Sequence, residues 1–473
     1  LRKLKLVGLS KIRQIELLTN FILFFFGFVV NFISYFSLNP FFSFFIFLIL
    51  GRLLISIFFL NGLYEIKMYY RIAYMGWLMS GIAAIYVVYF KDNYQLYSDA
   101  GDFFNLTINK EVSTVSLIEI QGFFENALPI YIWNSIYNGF NFLGFPKERY
   151  IGVFFNTIAV SLSGVFTIKI ARLIFFNDIV KLQRLIYLFS FCGLFWLFSS
   201  IHLRDSLVLL IVTILTFFWV LFLKSKITTR NVLLILVANL SSYIIFRFLR
   251  AEFTFVPIAF FLSAMFAKYL SQVRGKKYFL KSFMFSILII LFIGIIIKIL
   301  GQDLIETVVN GYISYNEGSE KSNSLGNTLI VNQILPLRLI FGFIYLFVFP
   351  IPFWSGFQLE SAYHLFLTFN VLYFYYLTPL FILSIVYFFK FKSTRRTTLI
   401  FIFFISIGFT FAISLTSLET RHFGCFLPSI LVFSLIPDLE IKKHDLMLKL
   451  YLKCFLVIIF SGHLCWYALK FIL

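Results

Sequence analysis

Charge is what this sequence has least of. Only 13% of its 473 residues are Asp, Glu, Lys or Arg, against about 25% in an ordinary soluble domain. A water-facing surface cannot be built from so few. A hydrocarbon-facing one can, because each bilayer crossing needs only about 20 apolar residues. Acids are the scarcer sign, 21 against 40 Lys and Arg, for a formal charge of +19. Cysteine is sparse as well. Cys192, Cys425, Cys454 and Cys465 show no CxxC spacing and no histidine at ligand spacing, which argues against a metal site or a disulfide framework. Walker A, GxGxxG, HExxH and GxSxG patterns are missing, so nucleotide hydrolysis and proteolysis of the familiar kinds are unsupported. The expectation is therefore no metal and no cofactor. The basic excess would suggest nucleic acid in a soluble protein. Here it lies in short loops between apolar runs, where topology accounts for it, and no nucleic-acid partner is expected.

What the sequence does contain is apolar. Hydrophobic residues make up 61%, mean hydropathy is +0.93, and there are 69 Phe and 26 Tyr. The Phe excess reads as the codon bias of an AT-rich, low-GC bacterial gene. Runs of span length fall near 15–37, 40–60, 72–90, 149–173, 185–201, 206–223, 231–249, 253–270 and 279–300, then 362–389, 398–416, 422–437 and 449–471. Stretches 126–145 and 335–358 are interrupted by Pro, Gly and polar residues. The expected fold class is all-α: a polytopic transmembrane helical bundle of about 12–14 spans with one or two re-entrant or interfacial segments. It forms a single integral membrane domain over 1–473. The basic N-terminus leads into a long run without a small-residue cleavage site, so no cleavable signal peptide is expected.

Basic loops orient the bundle. Arg2, Lys3, Lys5, Lys11 and Arg13, then Lys224, Lys226 and Arg230, then Lys268 to Lys281, then Lys390 to Arg396 occupy acid-free segments. All fall on one side, the cytoplasmic side, if helices alternate and the broken stretches return to the side they left. The N-terminus is then cytoplasmic. The acidic loop 91–128 and the second loop 301–335 lie outside.

Charges near outer helix ends are the candidates for chemistry, since such groups are costly in a bilayer and persist mainly when paired or used. Asp99 and Asp102 lie three apart, on one face if their segment is helical, where either could act as a general base or bind a cation; a helix cap is the bland alternative. His202, Arg204, Asp205 and Ser206 form a tight turn, where Arg204 suits phosphate or simply pairs with Asp205. Arg247, Arg250 and Glu252 put positive charge where the topology rule disfavours it, for an anionic ligand or for a local pair. Glu419, Arg421 and His422 stand at a later outer end, and Arg338 lies inside the second broken stretch.

Arranged this way, the Ser98-Asp99-Ala100 and Asp102 segment, Arg204-Asp205-Ser206, Arg247 with Arg250, and Arg421-His422 before Pro428 resemble a known pattern. It is that of the Wzy-type O-antigen and capsule repeat-unit polymerases and, more broadly, of membrane glycosyltransferases of the GT-C kind. The resemblance implies transfer of a glycan from undecaprenyl diphosphate to another lipid-linked repeat unit, outside the bacterial cytoplasmic (inner) membrane. Arg204, Arg247, Arg250, Arg338 and Arg421 would hold the diphosphate, supported by Asp205, Glu252 and Glu419. Asp99, Asp102 or His422 would take the acceptor proton. Partners would be the lipid-linked glycan, membrane lipid and a chain-length regulator. Alternatives from other classes are a lipid-linked oligosaccharide flippase, an enzyme using a polyprenyl-phosphate sugar, an acyltransferase or a membrane scaffold. A flippase would line a mid-membrane path with charge, whereas these charges gather at helix ends.

Overall fold

The computed structural model describes residues 2–58, 60–89, 98–109, 127–176, 178–226, 228–272, 333–348, 361–390, 396–415 and 418–472, with a few isolated positions besides. Among the described residues there is no strand, and helix accounts for nearly everything. Ten of the described helices are long and apolar enough to cross a bilayer, and eleven spans result if a bent pair counts as one. The chain is a multi-pass helical membrane protein. Helix is dictated here by solvent: lipid offers no hydrogen bonds, so backbone groups must pair within their own segment. The expected span at 279–300, most of loop 91–128, and loop 301–335 up to 329 lie outside the described residues.

The described chain divides into two compact units. The first comprises residues 1–169, 182–210 and 353–373. In it α1 (Arg2–Tyr35) runs parallel to α3 (Leu63–Tyr89), with α2 (Asn39–Ile57), opened by Pro40 in its first turn, as the return. Phe24 packs on Tyr74 with ring centres 5.3 Å apart, and Asn31 Nδ2 donates to the Trp77 carbonyl at 2.9 Å. Residue numbers rise together along the pair. The central helix is α6 (Arg149–Phe175), whose apolar window is 89% buried against 17% for α1. Burial of a helix that carries hydroxyls requires those hydroxyls to be satisfied. Thr157, Ser161, Ser163 and Thr167 each donate to the carbonyl four residues back, at 3.1, 2.7, 2.9 and 2.7 Å.

A short acidic-start helix, α4 (Ser98–Asn109), lies within the expected loop 91–128, and α5 (Ala127–Phe142) follows it. The apolar run at 185–201 is two helices, α7 (Ile179–Ser190) and α8 (Gly193–Ser200), bent by 57°. A bend exposes orphan backbone groups on both sides. Trp196 Nε1 donates to the Ser190 carbonyl at 2.7 Å, and Asn370 Oδ1 accepts from the Leu194 amide at 3.2 Å. Asn370 belongs to α13 (Ala362–Lys390), which presses its backbone on Gly193.

The second unit comprises residues 170–181, 211–352 and 374–473. Most of α9 (Asp205–Lys224), α10 (Thr229–Leu249), α11 (Val256–Gln272), α12 (Leu335–Val348), the later part of α13, and α14 (Arg396–Leu415) belong to it. Its core is Phe against Phe. Phe260 packs on Phe401 and Phe409, Phe343 on Phe411, Phe347 on Phe374 and Phe423, and Phe403 on Phe433, all with centres within 5.8 Å. Each such pair adds about 0.5–1.5 kcal/mol beyond its buried area. The residues read as a span at 422–437 are instead two short buried helices, α15 (Thr420–Gly424) and α16 (Leu427–Phe433). Pro428 in the first turn of α16 removes a backbone donor, and the chain turns before it. Of the interrupted stretch at 335–358, the described residues form the 14-residue α12. Last comes α17 (Lys442–Ile472), only 11% buried over its apolar window.

The bent pair makes a stability prediction. A Cβ on Gly193 would stand 2.4 Å from the Phe366 carbonyl oxygen and 2.6 Å from the Asn370 amide nitrogen, both backbone atoms, while one on Gly462 meets nothing within 4 Å. Gly193→Ala is expected to cost about 1–3 kcal/mol by overpacking, and Gly462→Ala to stabilise α17 by about 0.5–1 kcal/mol. Thermal unfolding in detergent measures both; equal midpoints for the two variants would contradict the packing described.

Candidate functional site

In the first unit the candidates gather about the turn between α8 and α9. Ile201 is extended, and Asn156 of α6 spans the turn, its Nδ2 donating to the carbonyls of Ile201 and Leu203 at 3.0 Å each. His202, between those two, is driven inward. Its ring centre lies 4.0 Å from that of Trp133 on α5 and 6.0 Å from those of Phe104 on α4 and Tyr137 on α5. Gly152 on α6 leaves the space the ring fills: a Cβ there would be 2.2 Å from it. His202 is fully buried, and neither ring nitrogen has a hydrogen-bond partner among the described residues. Burial first, and the nearby Arg149 charge second, hold its pKa down to about 3, so it is a neutral imidazole at physiological pH.

The turn's cations rest on aromatic faces. The Arg204 guanidinium lies over Phe103 at 5.6 Å, and that of Arg149 over Phe104 at 4.9 Å. Both rings belong to α4, the helix that carries Asp99 and Asp102. Residues 98–109 are indeed helical, which puts positions 99 and 102 on one helix face. The side chains of Asp99 and Asp102 themselves lie outside the described residues. Asn134 of α5 donates to the Thr107 carbonyl at 2.9 Å and fastens α5 to α4. Asp205 is buried in the first turn of α9, where the helix dipole favours a carboxylate.

In the second unit, two segments singled out separately meet. Arg250 follows α10 and precedes a 3-10 turn (Ala251–Phe255), and it is 3% exposed. Its Nη2 contacts His422 Nε2, 172 residues away. A guanidinium has only donors, so Nε2 must be the acceptor and the His422 proton sits on Nδ1. Phe253 sets its ring edge-on to His422 at 6.2 Å. The local acid pairs also form: Arg250 Nε stands 3.5 Å from Glu252 Oε2, and Arg421 Nε donates to Glu419 Oε2 at 2.7 Å. Arg247 and Arg421 are half-buried. Half-buried Arg338, on α12, has buried Nε and Nη2 atoms with no partner among the described residues. That helix lies along α14, with Gly342 against Ser414.

The structure thus sets Arg204 over α4, the helix of Asp99 and Asp102, in one unit, and joins Arg250 to Glu252 and His422 in the other. Among the described residues, no hydrogen bond or ion pair joins Arg247 or Arg338 to these. Sequence reasoning missed Arg149, Trp133 and Tyr137 and did not single out His202 as buried; they sit in apolar runs, and only the fold makes them neighbours. Among the described residues, no three His, Cys, Asp or Glu side chains gather as metal ligands do. Compared with known proteins, the chain matches no family model, and no curated protein or solved structure matches it significantly.

His202 generates a pH prediction. An unfolded histidine takes up a proton near pH 6.5, while the folded one refuses it until about pH 3. The unfolded state therefore binds more protons in that window, and stability is full above about pH 6.5 and lost as pH falls below it. Thermal midpoints in detergent should drop between pH 7 and pH 4.5 more steeply for wild type than for His202→Gln. Parallel slopes would show that His202 is not held neutral.

Proposed function

We propose that this protein is a membrane glycosyltransferase that polymerises lipid-diphosphate-linked glycan repeat units at the outer face of a bacterial cytoplasmic membrane, with its N-terminus in the cytoplasm. The observation that carries the reading is the contact between buried Arg250 and His422. The neutral acceptor fixes the guanidinium without adding a second opposing charge to that of Glu252 at 3.5 Å, and charge stabilisation of a departing phosphate is worth most in a water-poor site. Half-buried Arg247 and Arg338, and Arg421 paired with Glu419, are the other cations of the same unit.

In such a reaction the acceptor hydroxyl attacks the anomeric carbon, the bond from that carbon to the diphosphate oxygen breaks, and the hydroxyl proton passes to a base. The diphosphate leaves with the electron pair, and arginines neutralise it without a metal. His422 has its Nε2 occupied by Arg250, which makes it a positioning residue for that guanidinium rather than the base. Asp99 or Asp102 on α4, the helix whose Phe103 lies under Arg204, is the proposed proton acceptor. Undecaprenyl-diphosphate glycan is the proposed substrate and a chain-length regulator the proposed protein partner.

The test is made in cells. Arg250→Ala or Arg421→Ala should reduce polymer by about 10²–10³-fold, the scale of losing one transition-state donor, and leave surface glycan as single repeat units. His422→Gln, which keeps an acceptor for Arg250, should retain more activity than His422→Ala. Insertion is checked by the amount of full-length protein in the membrane fraction. Normal ladders from both arginine variants would sink the polymerase reading, and repeat units trapped on the cytoplasmic side would favour a flippase.

A further inference from the structure

A second charged cluster lies in the first unit, at the other end of α6. Gly152 abuts His202, and Lys169 stands 4.0 Å from Glu65 of α3. Those positions are 17 residues apart on one helix, about 25 Å at 1.5 Å per residue, close to the thickness of a hydrocarbon core. Around Glu65 the charges are paired: Lys169 with Glu65, and Lys67 with Glu16 of α1. Arg71 is not. It lies one turn beyond Lys67, inside a span, and is 8% exposed. Its Nε is buried with no hydrogen-bond partner among the described residues.

The register of α1 on α3 supplies a second unsatisfied group. Glu16 meets Lys67, and Phe24 meets Tyr74, so Asn20, midway between them, falls opposite Arg71. Asn20 Oδ1 is also buried without a partner among the described residues. Arg71 Nε is a donor that lacks an acceptor, which a phosphate oxygen would supply; a phosphodiester cannot satisfy Asn20 Oδ1, so Asn20 enters the site by a carboxamide flip that turns Nδ2 to the ligand. Tyr187 of α7 and Glu16 are the groups near enough to act on the Arg71 charge. With Lys67 balancing Glu16 and Lys169 balancing Glu65, one positive charge remains, and a single monoanion would neutralise the cluster. Its flank is open to lipid: Leu17, Leu18 and Tyr187 are exposed.

We propose that the phosphodiester headgroup of an anionic lipid binds between α1 and α3, its oxygens accepting from Arg71 and Lys67 and from the Asn20 amide. A guanidinium fork suits phosphate oxygens, and basic groups near helix ends attract anionic headgroups. This site is independent of the glycan reading; it needs only the packing of α1, α3 and α7.

The test is a lipid titration of the full chain in neutral detergent, followed by native mass spectrometry with thermal unfolding as a second readout. The probes are phosphatidylglycerol, phosphatidylcholine and sodium phosphate. The expected result is one tight phosphatidylglycerol that stabilises the protein, with zwitterionic phosphatidylcholine binding more weakly. Arg71→Gln should weaken phosphatidylglycerol at least tenfold. Glu16→Gln should tighten it, because it removes the competing carboxylate and frees Lys67; this variant and Asn20→Ala carry the test if Arg71→Gln does not fold. Equal binding of both lipids, unchanged affinity in Arg71→Gln, or lost binding in Glu16→Gln would overturn the site. Full stabilisation by sodium phosphate at the same concentration would overturn the lipid assignment and leave free phosphate as the ligand.

Discussion

In a bilayer no water arrives to satisfy a broken helix, and this protein breaks its helices inside its core. Everything near the first unit's candidate residues follows from how those breaks are mended. At the bend between α7 and α8, the Trp196 indole closes the end of one helix and the Asn370 carboxamide closes the start of the next. At the turn into α9, one carboxamide, Asn156, takes the carbonyls on both sides of His202. Were those carbonyls unpaired, each would cost about 1–3 kcal/mol, a large fraction of a protein's net stability. Because Asn156 fixes the turn, His202 must point inward and Arg204 is left over Phe103 of α4. Local polar satisfaction thus decides where the charged side chains stand.

Charge placement has a logic of its own. The first unit keeps one charged cluster at each end of α6 and hydroxyls bonded to their own helix between them. The second keeps Arg250 buried against a neutral imidazole with Glu252 at 3.5 Å. A cation beside a carboxylate alone would be largely cancelled. Here Glu252 offsets part of the charge, and the histidine nitrogen fixes the guanidinium in place. Such an arrangement costs desolvation, which is why charge buried in a membrane protein points to use rather than to stability.

Much of the fold was legible in the residues because lipid leaves a chain few choices. Runs such as 206–223 and 398–416 had to be spans, and the structure contains them as α9 and α14. What was hidden depends on tertiary partners. Nothing in Phe191-Cys192-Gly193 announces a bend without Asn370 to receive it. The run 422–437 is apolar but for His422, Ser429 and Ser434, so it reads as a span, yet it is divided into α15 and α16. Of the site, Arg250 and His422 were each visible as charge in the wrong place, but their contact was not. Arg71 was not singled out in the sequence; only the register of α1 on α3 sets it across from Asn20.

The central claim is that these arginines serve transfer chemistry on a lipid-linked glycan. The most direct measurement is to reconstitute the purified full chain in liposomes with a lipid-diphosphate-linked repeat unit and follow products by mass spectrometry. The account predicts glycans of two or more repeat units, with one free lipid diphosphate released for each new linkage. Recovery of the substrate with its glycan unextended, whether or not it has crossed the bilayer, would contradict it.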